Sequence, residues 1–183
     1  QGDLYLFDIE TKEIENLTND WYSEDHVSWS PDGEKLYFIS DRGHDLSLGL
    51  GQIPYNYNVD QSDIYTLHLE SFGMSRLTNT LWNETYPTVS GDGDYLAYIS
   101  DESGISNIML LADGISTPIT NVTTGITQLS WNGDDTQLIF TGFHKKGYDI
   151  FTLANPKEKQ AEEIKIPFAS WRKIKNNNRL LRR

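Results

Sequence analysis

The feature that most constrains this chain is a 25-residue stretch that occurs three times without gaps. The copies are LTNDWYSEDHVSWSPDGEKLYFISD at 17–41, LTNTLWNETYPTVSGDGDYLAYISD at 77–101 and ITNVTTGITQLSWNGDDTQLIFTGF at 119–143. The first two agree at 11 of 25 positions, among them Leu17/Leu77, Glu24/Glu84, Asp32/Asp92, Gly33/Gly93 and Asp41/Asp101. A second block recurs between them: GDLYLFDIE near the start, then SDIYTLHLE, SNIMLLADG and YDIFTLANP. The registers are offset by 60 and then by 42 residues, and the surplus of 18 falls in Gly43–Gln61, which has no later counterpart. A period of 42 is left, and self-similarity at that spacing calls for an architecture of stacked units.

Each unit reads as four short strands. Val27–Ser30 is an apolar segment, and Pro31-Asp32-Gly33 supplies a tight turn in which Pro sets φ while Asp and Gly tolerate turn geometry. Lys35–Ser40 is rich in aromatic and β-branched residues, as strands are. Asp63–Leu69 places Ile64, Thr66 and His68 on one face and Tyr65, Leu67 and Leu69 on the other, and a short fourth strand ends at Leu77-Thr78. Four strands per ~42 residues is the period of a propeller blade. The fold class expected is all-β, a β-propeller with four-stranded antiparallel blades. A helix is expected nowhere except in Ser170–Arg183. Residues 2–20 supply only the outer two strands of a blade, so about three and a half blades are present, short of the ~4–8 that close a ring. The expectation is a partial propeller whose remaining blades come from the same longer chain. Trp29 and Trp131, at equivalent positions, are expected to line the packing between blades.

Charge divides the chain unevenly. Up to Pro156 there are 6 Lys+Arg against 24 Asp+Glu, and from Lys157 onward 9 against 3. The domain boundaries expected are a propeller segment at 1–169 and a basic tail or linker at 170–183, with Glu163-Ile-Lys-Ile-Pro167 as the fourth strand of the last blade. An acidic body repels phosphate backbones, which argues against nucleic acid as a partner. There are no cysteines, which removes disulfides, thiolate zinc sites and a cysteine nucleophile. No apolar run approaches the ~18 residues of a membrane span. The chain opens on Gln1 with no initiator Met or signal segment, so it reads as a mature product or a fragment.

The string WSPDGEKLYFISDRG, with DIYTL and LTN at their distances from it, resembles the repeats of the TolB-like, WD40-like β-propeller family, that of the Tol-system periplasmic propeller. Similar repeats form the propellers of tricorn-type and prolyl-oligopeptidase-type peptidases. The resemblance covers about residues 2–156. It departs from the family pattern at Gly91 and Gly133, where Pro is expected, at Asp135, where Gly is expected, and at Thr141-Gly142-Phe143, which replaces Ile-Ser-Asp. The resemblance implies a non-catalytic protein–protein interaction module of the cell envelope, periplasmic or outer-membrane-associated, with a protein or peptide partner in a membrane-associated complex. Its rival is the propeller of a larger serine peptidase, gating substrate access to a catalytic domain outside these residues.

The chemistry-bearing residues favour recognition over catalysis. No G-x-S-x-G elbow occurs, and His26, His44, His68 and His144 are dispersed, with neither H-E-x-x-H nor an i,i+4 pair for zinc. The Asp-bearing turns at Asp32, Asp92 and Asp134-Asp135 offer one or two oxygens each on separate blades, far from the 6–8 that calcium gathers. No catalytic residue, metal site or cofactor is therefore assigned. Asn16, Asn83 and Asn121 begin N-x-Thr acceptor patterns, but they fall in or beside the repeated stretch, where Asn and Thr serve turn geometry.

Strand alternation sorts the loops into two faces. One carries 19–25, 79–85 and 121–125 together with 41–62, 101–104 and 142–147, and the other carries the Pro31-Asp32-Gly33 type turns. The first face holds the long insertion and is the expected binding face, since functional residues concentrate on loops held by a rigid scaffold. Its candidate binding residues are Trp21, Tyr22, His44, Ile53, Tyr55, Tyr57 and Trp82, chosen as aromatic, amphipathic or loop-borne contact area.

Overall fold

A computed structural model describes residues 2–51 and 60–160. Thirteen strands form four antiparallel sheets. The first is a two-stranded hairpin, β1 (Tyr5–Phe7) and β2 (Ile14–Asn16). A four-stranded sheet follows in the order β3 (Glu24–Trp29), β4 (Lys35–Ser40), β5 (Asp63–His68), β6 (Met74–Arg76). A second comprises β7 (Glu84–Val89), β8 (Leu96–Ser100), β9 (Asn107–Ala112) and β10 (Ile115–Pro118). The last has β11 (Ile126–Trp131), β12 (Gln137–His144) and β13 (Gly147–Ala154), followed by a 3-10 turn at Pro156–Glu158. That turn is the one helical element among the described residues and lies outside the segment where a helix was expected. Glu163–Pro167 and 170–183 fall outside the described residues.

The core is three apolar layers, each between consecutive sheets. Period-two alternation sends Leu36 and Phe38 of β4, with Tyr65 and Leu67 of β5, toward Leu4 and Leu17 of the hairpin. Ile39 and Ile64 point the other way, against Leu96, Tyr98 and Met109. Ala97, Ile99, Ile108 and Leu110 then meet Ile119, Ile126 and Leu138. Sheets buried on both faces need apolar residues at successive positions, and β8 is accordingly buried throughout. The first strands β3, β7 and β11 lie against one another in order, as the inner strands of neighbouring blades do. The arrangement is a partial β-propeller.

One backbone device repeats at each join. Leu17, Leu77 and Ile119 donate their amides to the carbonyls of Leu4, Ile64 and Ile108, at 2.8, 2.8 and 3.0 Å. The next residue, a threonine each time, accepts the amide of that same Leu4, Ile64 or Ile108 through its Oγ1, at 3.1, 2.8 and 2.8 Å. The following inner strand starts with Glu24, Glu84 or Ile126, whose amide donates to the carbonyl of Gly2, Ser62 or Ser106. Two residues further on, His26, Tyr86 and Gln128 take positive φ of 50°, 51° and 58° at a shift in strand register. These are bulges, with backbone in a region that side-chain-bearing residues seldom adopt.

Trp131 behaves as expected, half-buried with its Nε1 donating to the Thr88 carbonyl of β7 at 3.1 Å. Trp29 does not: it is 53% exposed, because no described inner strand of a preceding blade lies against β3 as β7 lies against β11. Val27 beside it, and Tyr148 and Ile150 on β13, are exposed apolar residues on the two open sides.

The departures from the repeat pattern at Gly91 and Asp135 explain one another. Asp135 occupies the left-handed turn position (φ 58°) that Gly33 and Gly93 hold in the other units. Its carboxylate accepts the amides of Gly91 at 2.7 Å and Asp92 at 3.1 Å. Pro31, at the position of Gly91, has no amide to give. Lys157 closes the cluster, 2.6 Å from Asp92 and 3.5 Å from Asp135, and lies over the rings of Tyr95 and Trp131. Lys157 holds the Asp92 carboxyl down at about 2, seconded by the Ser90 hydroxyl. Thus G91P should destabilise by about 1–2 kcal/mol, and less than half of that in a D135G background, since the amide it removes then has no acceptor. A double-mutant cycle by urea unfolding measures the coupling.

Candidate interaction face

The loops of the face expected to bind are anchored from below by a buried cation. Arg42, which follows β4, donates from one guanidinium nitrogen to Asp20 Oδ2 at 2.9 Å and Glu24 Oε1 at 2.6 Å. It also donates to Ser40 Oγ at 3.2 Å and to the Ser47 carbonyl at 3.2 Å. Its planar head lies against the rings of Tyr22 and Tyr65. Tyr65 donates to the Gly43 carbonyl at 2.6 Å, and Tyr22 to Asp45 Oδ2 at 2.7 Å. The start of the insertion, residues 43–47, is therefore bound to the blade rather than looped free.

The aromatic candidates separate accordingly. Tyr22 is only 2% exposed and braces the loop from inside; burial and the Asp45 carboxylate push its phenol well up. Trp21 is 42% exposed, with its Nε1 donating to the Gly51 carbonyl at 2.7 Å. His44 is exposed, its Nδ1 3.2 Å from Arg76. Trp82 is half-buried in the neighbouring join. Ile53, Tyr55 and Tyr57 lie outside the described residues. The loop expected at 142–147 is shorter than its span, since β12 and β13 continue to His144 and Gly147. Asn16 is engaged: its Nδ2 donates to Asp3 and Tyr5, and its Oδ1 accepts the amides of Thr18 and Asn19.

The remaining histidines have local neighbours, although His26 Nδ1 is buried without a hydrogen-bond partner among the described residues. His26 stacks on Tyr86 at 3.7 Å between centroids, His68 lies 3.9 Å from Glu34, and His144 pairs with Asp149 at 3.1 Å. Among the described residues no serine hydroxyl is hydrogen-bonded to a histidine.

The next join carries a second acidic cluster. Asp63 is bound by Arg76 at 2.6 Å. Glu84, 1% exposed, accepts Thr80 Oγ1 at 2.5 Å and Thr78 Oγ1 at 3.4 Å. The position that Arg42 holds in the first unit is Glu102 here, and among the described residues no guanidinium is hydrogen-bonded to Glu84. Burial pushes its carboxyl up to about 8, with Asp63 adding to the rise.

Comparison with solved structures identifies this architecture. TolB from Acinetobacter baumannii superposes with a TM-score of 0.66 at 18% identity, over 86% of this chain and 36% of TolB. The chain has a TolB-like β-propeller fold. A prolyl endopeptidase matches at TM-score 0.57 and 16% identity, over 88% of this chain and 26% of that one. An oligogalacturonate lyase, solved with manganese, matches at 0.55 and 16%, over 84% and 41%. The TolB-like chain therefore spans well under half the length of each of these structures. No protein-family profile and no curated protein sequence matches it.

In this TolB-like segment neither spacing nor composition pointed to Arg42, Arg76 or the buried acids as organisers of the face. Their only signal was the repetition of Glu24 as Glu84 at the start of an inner strand, where an apolar residue, Ile126, stands in the third unit. The pH consequence follows from Glu84. Its folded-state pKa of about 8 lies above the ordinary 4.5 of the unfolded chain, so its contribution is complete below about 4.5 and lost as pH rises through 8. Stability in urea should fall between about pH 5 and 8 by up to about 1.4 kcal/mol per pH unit from this group, and E84Q should flatten the slope.

Proposed function

We propose that this segment works by recognition: a non-catalytic protein-interaction module of a cell-envelope protein, periplasmic or outer-membrane-associated, whose remaining blades belong to the same longer polypeptide. The observation that carries this reading is the exposed Trp21 indole, tethered to Gly51 beside a loop that Arg42 and Tyr22 hold to the blade. An aromatic ordered before binding loses little freedom on contact, which is what an interface anchor requires. His44 and Trp82 extend the same face, and the acidic body favours basic or neutral partners. The TolB-like fold supports the envelope placement. The exposed apolar residues on the open sides, Trp29 and Val27 at one and Ile150 at the other, support the further blades.

The second reading, a propeller that gates a serine peptidase, draws on the likeness to the prolyl endopeptidase. The experiment separates the two in the full-length polypeptide. W21A, and replacement of residues 50–60 by a Gly-Ser link, should each lower partner capture from native membranes at least tenfold while circular dichroism stays that of a folded β protein. Unchanged capture would sink the recognition reading. Hydrolysis of peptide substrates whose size limit shifts with the loop replacement would establish the gating one.

A further inference from the structure

The join between the β1–β2 hairpin and the first full blade gathers three carboxylates, Asp3, Asp20 and Glu24, each offering an oxygen within 4.8 Å of the others. Part of this charge is answered. Arg42 binds Asp20 Oδ2 and Glu24 Oε1, Ser40 Oγ donates to the same Glu24 oxygen, and Asn16 Nδ2 donates to Asp3 Oδ2 at 2.9 Å. Two oxygens are not answered: Asp3 Oδ1 and Glu24 Oε2 are buried and accept no hydrogen bond among the described residues. The Glu24 side chain is 0% exposed, so solvent does not serve it. A buried charged acceptor with no donor is costly, and such an oxygen calls for a partner.

The repeat supplies its own controls. At the second join Arg76 answers Asp63, and burial favours the neutral form of Glu84, as it does, with Arg42 opposing it, at Glu24. At the third join the same positions are Asn107, Val122 and Ile126, and no charge is present. Among the described residues the first join holds three acids against one guanidinium. A single proton shared between Asp3 and Glu24 would still leave one carboxylate more than Arg42 can neutralise.

We propose that Asp3, Asp20 and Glu24 bind a hard divalent cation of the calcium class at this join. The donors are all carboxylate oxygens, which suits such ions and not the nitrogen- and sulfur-seeking metals. The ion takes the two unanswered oxygens and offsets the excess charge. It also ties Asp3 to the start of β3, where Glu24 already donates its amide to the Gly2 carbonyl at 2.7 Å. Bound there, it fastens the first hairpin beneath the loop that carries Trp21.

The test uses the full chain after chelator treatment and gel filtration, with Ca²⁺, Mg²⁺ and Mn²⁺ titrated separately and the melting temperature recorded. Terbium is a second probe, its luminescence sensitised through Tyr22, whose ring lies against Arg42. The expected result is one saturable site per chain in the sub-millimolar range, with a melting temperature that rises with Ca²⁺ concentration. D3N should weaken that response at least tenfold while leaving the Arg42 pairs in place, and D94N, at an exposed turn acid, should keep it. Absence of a saturable response in the native chain, or an unchanged response in D3N, overturns the proposal. So does a metal-independent gain in stability on acidification that D3N abolishes, because the two oxygens would then be sharing a proton. Should D3N fail to fold, terbium binding to the native chain and its competition by Ca²⁺ decide the matter.

Discussion

Everything in this structure hangs on how a blade hands the chain to the next one. A sheet of four antiparallel strands ends at its outer edge, and the polypeptide must return to the hub without leaving amides unpaired. Thr18, Thr78 and Thr120 solve this by taking the amide at the start of the hairpin's or blade's third-strand segment, while the residue before each threonine donates to the carbonyl of the same partner. One residue of the older sheet is thus held through both of its backbone groups. Loss of such a threonine leaves a buried amide unsatisfied, a cost of roughly 1–3 kcal/mol. The clamp fixes the spacing between sheets, which lets the apolar layers close and gives the loops above them a fixed base.

The joins share that backbone frame but differ in what fills it. The first contains Asp20, Glu24 and Arg42, the second Glu84 and Thr80 with Asp63 and Arg76, and the third apolar Ile126 and Val122. Buried ion pairs are weak contributors to net stability, and the apolar third join illustrates the alternative. What the charged joins do is anchor chain that has no strand to hold it. Arg42 reaches the Ser47 carbonyl, and Arg76 reaches the Thr78 carbonyl and His44. Rigidity in the loops is bought with buried charge.

The opposite face shows the same economy in another form. Turns built on Ser30-Pro31-Asp32-Gly33 are self-contained: the Asp32 carboxylate accepts from Ser30 Oγ and the Glu34 amide. In the later blades the turn at Gly91 is joined to the one at Asp135, and Lys157 lies across both. Two residues that look like decay of the repeat are a matched pair linking neighbouring blades.

The 42-residue period, the alternation within Asp63–Leu69 and the Pro-Asp-Gly turn chemistry were enough to read the strands, the blades and the two faces, because each depends on residues close in sequence. Trp21 as an exposed aromatic was legible for the same reason. Tyr22 beside it was not distinguishable: its burial depends on Asp45, 23 residues away along the chain, and on Arg42. The bulges at His26, Tyr86 and Gln128 carry no glycine or asparagine to announce them, since neighbouring strands impose the positive φ. Sequence alone determined which segments pair. Only the tertiary structure decided which charges meet, because that depends on the distance between sheets, a quantity that no local pattern of residues encodes.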